Sequence, residues 1–89
     1  MQERYGLAAY RSRTQVLRLE ERLRRMGVPA QAVTTPRVIA LGCGLSVRFP
    51  LEYAAQARAA VRAEGQSGLI GLYRVERDGA RTKVAPLRA

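Results

Sequence analysis

Leu45-Ser46-Val47-Arg48-Phe49 is the stretch on which the fold turns. Apolar and polar residues alternate without a break, which predicts a strand with Leu45, Val47 and Phe49 inward and Ser46 and Arg48 outward. Pro50 and Leu51 then open a helix to about Glu64, where Gly65 ends it. Its inner face is small, built from Ala54, Ala57 and Val61 with Ala60 beside them, so this helix can pack closely on a sheet. Gln66-Ser67-Gly68 is a turn, and Leu69 to Glu76 reads as a further strand. Tyr73 and Val75 are expected on its core face, Arg74 and Glu76 outward. Asp78-Gly79 signals another turn.

Upstream of Leu45 the pattern runs in mirror order. Tyr5 to Tyr10 is short, apolar and bounded by charge, as a first strand should be. It puts Tyr5, Leu7 and Ala9 on one face and Gly6, Ala8 and Tyr10 on the other. Ser12-Arg13-Thr14-Gln15 fits a capping box and starts a helix to about Met26. Val16, Leu19, Leu23 and Met26 recur on one stripe of it, and Gly27 is a natural stop. Val28 to Val33 is a second strand, which Pro29 assigns to an edge or to a strand start. Thr34-Thr35-Pro36-Arg37 is turn-like, and Val38 to Gly44 forms an irregular apolar loop.

The order strand, helix, strand, strand, helix, strand predicts an α+β ferredoxin-like sandwich (βαββαβ). This is a four-stranded antiparallel sheet with two helices on one face. Residues 1–79 form this single domain, and 80–89 a basic C-terminal tail with room for a short extra strand. Ile70 and Leu72 are expected on the uncovered sheet face, where a homodimer would bury them.

The chain has 89 residues, enough for one modest core. Aromatics are few, four Tyr and one Phe, so Leu, Val, Ile and Ala must fill that core. Sixteen basic residues against seven acidic give a net charge of +9. Lys83 is the sole lysine, and the arginines are spread along the chain rather than clustered. Biased composition accounts for that spread, and a basic surface for nucleic acid or an acidic protein is the other reading. Met1-Gln2-Glu3-Arg4 opens no signal peptide. The apolar-rich run Val38 to Val47 is far shorter than the roughly 20 residues that span a bilayer. With a single cysteine there is no internal disulfide framework. A chain that stays in a reducing compartment, the cytoplasm, and off the membrane is expected.

Elimination narrows the chemistry. There is no histidine, hence no imidazole base and no Cys-His or Ser-His pair. One Cys without His makes no closed transition-metal site, so neither metal nor cofactor is expected. The acidic residues are scattered and form no carboxylate pair. Gly42-Cys43-Gly44 is not a phosphate loop, since no Lys-Ser/Thr follows. The thiol of Cys43 is the strong nucleophile that remains. Gly42 and Gly44 strip side-chain bulk from around it and let backbone N–H groups face a thiolate. Arg37 and Arg48 are near in sequence and would add positive potential. The alternative is that Cys43 is buried and behaves as a small hydrophobe.

Several pieces, taken in order, resemble the selenium/sulfur carrier-like small proteins, a bacterial family of single domains with one Cys-Gly motif. They are Tyr10-Arg11-Ser12, Val16-Leu17 with Glu20 and Leu23, Pro36-Arg37, Cys43-Gly44-Leu45 and Gly71-Leu72-Tyr73-Arg74. The resemblance covers about residues 5 to 76. Two places depart from the pattern. Ala40-Leu41-Gly42 stands where the family has a Ser-rich stretch, and Val38 where it has a polar or acidic residue.

The resemblance implies that the Cys43 thiolate accepts a sulfane sulfur or selenium atom and passes it on, as a carrier rather than a stand-alone enzyme. The implied partners are a donor such as a cysteine desulfurase and an acceptor protein. Arg37 would stabilise the loaded anion, and Ser12 would lie near the site. Two other readings stand beside it: a module binding RNA or an acidic protein, and a homodimeric regulatory subunit with Cys43 buried. Nucleic acid is the less favoured partner, because no aromatic pair sits on a central strand in an RNP-like pattern.

Overall fold

A computed structural model describes residues 2–40, 44–65 and 67–87. The elements run β1 (Gln2–Tyr10), α1 (Arg13–Arg25), β2 (Gln31–Thr34), β3 (Leu45–Phe49), a single 3-10 turn (Leu51–Tyr53), α2 (Ala54–Glu64), β4 (Leu69–Asp78) and β5 (Arg81–Pro86). All pair antiparallel in one sheet of order β2-β3-β1-β4-β5. Two edges follow from this order. One is β2, which begins at Gln31 rather than at the expected Val28, so Pro29 lies outside the strand. The other is β5.

The expectation of four strands is therefore corrected to five. Gly79, at φ 61°, turns the chain so that Asp78 pairs with Arg81 and Val75 with Val84. A two-residue hairpin needs this left-handed backbone, which glycine adopts without strain. The added strand was obscured because Arg81, Thr82 and Lys83 break the apolar alternation. All three are exposed on an edge.

Both helices pack on one face of the sheet. Val16, Leu19 and Leu23 of α1 and Ala57, Ala60 and Val61 of α2 meet Ala8 and Tyr10 of β1 and Val47 and Phe49 of β3 in one buried cluster. Val47 and Phe49 lie inward as expected, and the structure adds that Ala8 and Tyr10 share their face. Met26, expected on the α1 stripe, is 46% exposed. It lies beyond the end of α1, where helical spacing no longer applies.

The other face of the sheet also carries a core. Tyr5, Leu7 and Val75 are buried there, with Val33, Ile39, Tyr73 and Val84 packed against them. This reverses the expected faces of β4. Tyr73 and Val75 lie on the side away from the helices, while Leu72 packs into the helix-side cluster. Leu72 is thus not on an uncovered face. Apolar residues of both parities occur in β4, so periodicity alone does not orient it.

Candidate functional site

The register gathers one end of the sheet. Tyr10, the last residue of β1, pairs with Leu45 at the start of β3 and with Leu69 at the start of β4. Thr34, the last residue of β2, also pairs with Leu45. Chain segments leaving or entering at this end include Arg11-Ser12, Thr35 to Ala40 and Gly44. The Arg11 N–H donates to the carbonyl of Gly68 at 2.8 Å, which ties the turn before β4 to the same end.

The loop that carries the candidate thiol springs from a closed base. The Thr35 N–H donates to the Gly44 carbonyl at 2.9 Å, bridging the two limbs of the loop. Beneath it the Thr35 and Ser46 hydroxyls bond at 2.6 Å, both buried. Ser46, expected to face outward, does point away from the helices, but it is fully buried there. Its hydroxyl tolerates burial because Thr35 satisfies it. A Cβ on Gly44 would lie 3.2 Å from Thr35 Oγ1, so a glycine at this position lets the limbs close together.

The upstream limb is a tight turn. The N–H groups of Ile39 and Ala40 both donate to the Pro36 carbonyl, at 3.0 and 3.2 Å. Ile39 seats on the second sheet face, against the cluster of Tyr5, Leu7 and Val75. Between these anchors Arg37 is exposed and makes no ion pair among the described residues, and Val38 is 64% exposed. Gly42 and Cys43 lie outside the described residues.

Ser12 caps α1: its Oγ accepts from the Gln15 N–H at 3.4 Å. Only half of the expected capping box forms. The Gln15 side chain does not return to Ser12 but donates to the Ser67 carbonyl, pinning the turn that precedes β4. Ser12, Arg37 and Gly44 thus sit on segments at the same end of the sheet. Arg48 is not part of that group. Its guanidinium bonds Glu3 at 3.0 Å and stacks 3.9 Å above the Tyr5 ring, and the same guanidinium holds the Glu3 carboxyl below its ordinary value.

Two residues that the sequence left unexplained gain roles. Glu20 accepts from the Ala32 N–H at 2.7 Å and pairs with Arg24 at 3.4 Å. It tethers α1 to β2 and covers an amide that the edge strand would otherwise expose. Tyr10 is 1% exposed, and its hydroxyl has no hydrogen-bond partner among the described residues. Burial, with help from the Glu64 charge, pushes the Tyr10 phenol up to about 12.

Among the described residues no group of His, Cys, Asp and Glu could hold a metal ion, and no helix is long and apolar enough to cross a membrane. No curated protein and no solved structure matches the chain. A family model does match, over residues 5–69, a span that includes Ser12, Pro36-Arg37 and Gly42-Cys43-Gly44. With well over half of its length matched, the chain belongs to the family described as "Putative Se/S carrier protein-like".

Proposed function

We propose that this protein is a sulfur or selenium carrier and that Cys43 is the carrying residue. The observation that carries the reading is the family match, which spans the chain's sole cysteine. The closed loop base, the exposed Arg37 and the N-terminus of α1 at the same end of the sheet add to it. A helix N-terminus and a guanidinium both favour an anion in their vicinity.

The transfer needs no oxidant. The Cys43 thiolate attacks the outer sulfur of a donor persulfide, such as that on a cysteine desulfurase. A new S–S bond forms at Cys43, the donor S–S bond breaks, and the donor sulfur leaves with the electron pair and takes up a proton. An acceptor nucleophile later attacks the outer sulfur, and Cys43 leaves as thiolate. Selenium follows the same course. With no second cysteine, no resolving thiol in the chain discharges the loaded species into an internal disulfide. A lone free thiol suits a reducing, cytoplasmic setting. In this reading β2-β3-β1-β4 is a ferredoxin-like core to which β5 is appended.

The test is intact mass after incubation with an active cysteine desulfurase and free cysteine, under non-reducing conditions. The wild-type chain gains one sulfur atom, removable by a thiol reductant, and Cys43→Ser gains none. Arg37→Ala loads more slowly. A wild-type chain that stays unmodified while the desulfurase turns over refutes the carrier reading.

A further inference from the structure

Charge is divided unevenly between the two ends of the sheet. At the end where Gly44 enters β3, the connections are Arg11-Ser12 after β1, Thr35 to Gly44 between β2 and β3, and Gly65 to Gly68 before β4. By sequence these connections hold no aspartate or glutamate. Their charged residues are Arg11 and Arg37, and Arg13 opens α1 beside them. All three are exposed and make no ion pair among the described residues. Because Tyr10 pairs with Leu45, Arg11 leaves the sheet about 5 Å, one strand spacing, from the strand that Gly44 enters. The opposite end mixes signs: Glu3, Glu76 and Asp78 line one hollow with Arg4, Arg77 and Arg81. The arginine end also carries an exposed apolar side chain. Val38 is 64% exposed, against 46% for Leu17 and Met26. It stands next to Arg37 in the turn closed on the Pro36 carbonyl, while its neighbour Ile39 packs on the sheet.

We propose that this end is the docking face for the protein that donates sulfur, and that the donor presents an apolar recess rimmed by carboxylates. The proposal rests on the carrier reading. Cys43 is covalently next to Gly44, so a donor that delivers an atom to it must come up against this end. Val38 enters the recess, and Arg11, Arg13 and Arg37 meet the rim. Arginine matches carboxylates in fork geometry, and an apolar centre inside a polar rim is the common layout of a protein interface. The connections at this end carry no carboxylate that would repel the rim. RNA fits less well. Tyr10, the aromatic residue nearest these connections in sequence, is 1% exposed and offers no face on which a base can stack.

The probes are pentapeptides with a persulfide on a central cysteine: Glu-Leu-Cys-Leu-Glu, its lysine counterpart Lys-Leu-Cys-Leu-Lys, and Glu-Ser-Cys-Ser-Glu. The Cys43 thiolate takes the outer sulfur, and the peptide sulfur leaves with the electron pair and takes up a proton. Transfer to the full chain is followed by intact mass at low salt. Each rate is divided by the rate toward 2-mercaptoethanol, which removes the peptides' own reactivity.

The Glu/Leu peptide loads the wild-type chain about tenfold faster than the Lys/Leu peptide, an advantage that shrinks as salt rises. Arg11→Gln with Arg13→Gln cuts that advantage about threefold. Arg4→Gln with Arg81→Gln, the same change of net charge at the opposite end, leaves it as in the wild type, since attraction between exposed charges is screened with distance. The Glu/Leu peptide also outpaces the Glu/Ser peptide, and Val38→Ser erases that difference while keeping the charge preference. Equal rates for the acidic and basic peptides, or equal losses in the two double variants, overturn the docking face and leave the carrier reading standing. A chain that takes sulfur from none of the peptides overturns the carrier reading and the docking face with it. Oligouridine RNA that blocks transfer to the wild type and not to the Arg11/Arg13 variant gives the face to RNA and overturns the protein partner.

Discussion

Gly6→Ala is the sharpest test of the packing that holds β1 against β3. Gly6 is buried in β1, paired with Phe49 of β3 and Arg74 of β4. A Cβ built there would lie 2.8 Å from Phe49 Cδ2 and closer still to Cε2 and Cζ. Carbon atoms at rest stay about 3.5–4.0 Å apart. The Phe49 ring has no free path away, being 1% exposed and enclosed by the helix-side cluster. Overpacking of this kind costs about 1–3 kcal/mol. The backbone works in the opposite direction: alanine in place of glycine in an extended segment gains about 0.4–1 kcal/mol by restricting the unfolded chain. The expected net effect is a loss of about 1.3 kcal/mol, the difference between the midpoints of those two ranges. For a domain of this size that lowers Tm by about 4–8 °C per kcal/mol. Urea denaturation of wild type, Gly6→Ala, Phe49→Leu and the double variant gives the coupling directly. With the smaller Leu at position 49 the methyl group fits, so Gly6→Ala should cost much less there or become stabilising. If Gly6→Ala is as stable as the wild type, or if the two changes simply add, the steric account is wrong.

Two further outcomes follow from buried polar groups. Thr35→Val leaves the Ser46 hydroxyl buried without its partner, at a cost of about 1–3 kcal/mol, while Thr35→Val with Ser46→Ala recovers much of it; thermal unfolding of the three variants checks both. For Tyr10, the folded pKa of about 12 lies above the roughly 10 of an unfolded tyrosine, so the folded state holds the proton longer. Its contribution to stability is full below pH ~10 and is lost as pH rises from there toward ~12. Denaturation across that range should show a decline that is shallower in Tyr10→Phe, and absorbance titration should show one tyrosine ionising late; parallel declines in the two proteins would refute the assignment.

A loop closed at its base can present a thiol only as steadily as that base is held. The bridge from Thr35 to Gly44, the hydroxyl pair beneath it and the seat of Ile39 on the second sheet face supply that hold. Ahead of Cys43 the sequence reads Ala40-Leu41-Gly42, without a serine, and Val38 is apolar. The remaining charged group in the described part of the loop is Arg37.

Local signals in the sequence were sufficient for β1, α1, β3 and the end of α2, but not for β5, for the start of β2 at Gln31 or for the 3-10 turn that precedes α2. Alternation over Leu45–Phe49, the Ser12 cap, the stops at Gly27 and Gly65 and the edge signal of Pro29 are all short-range effects, set by backbone sterics and hydrogen bonding within a few residues. Elimination by composition also needed no structure, because a missing histidine is missing in any fold. What required the tertiary structure were the facts that depend on what lies opposite. Ser46 is polar and yet buried, because Thr35, just past the end of β2, satisfies it. β4 carries apolar residues on both parities, so only pairing with β1 and β5 decides that Tyr73 and Val75 face away from the helices. β5 is polar along its exposed edge and becomes a strand because β4 offers it an unpaired neighbour. Gln15 and Glu20 look like helix-surface residues, yet they reach Ser67 and Ala32 across the fold. A sequence carries the preferences of each residue, but burial and pairing depend on residues far apart in the chain, and those meet only once it has folded.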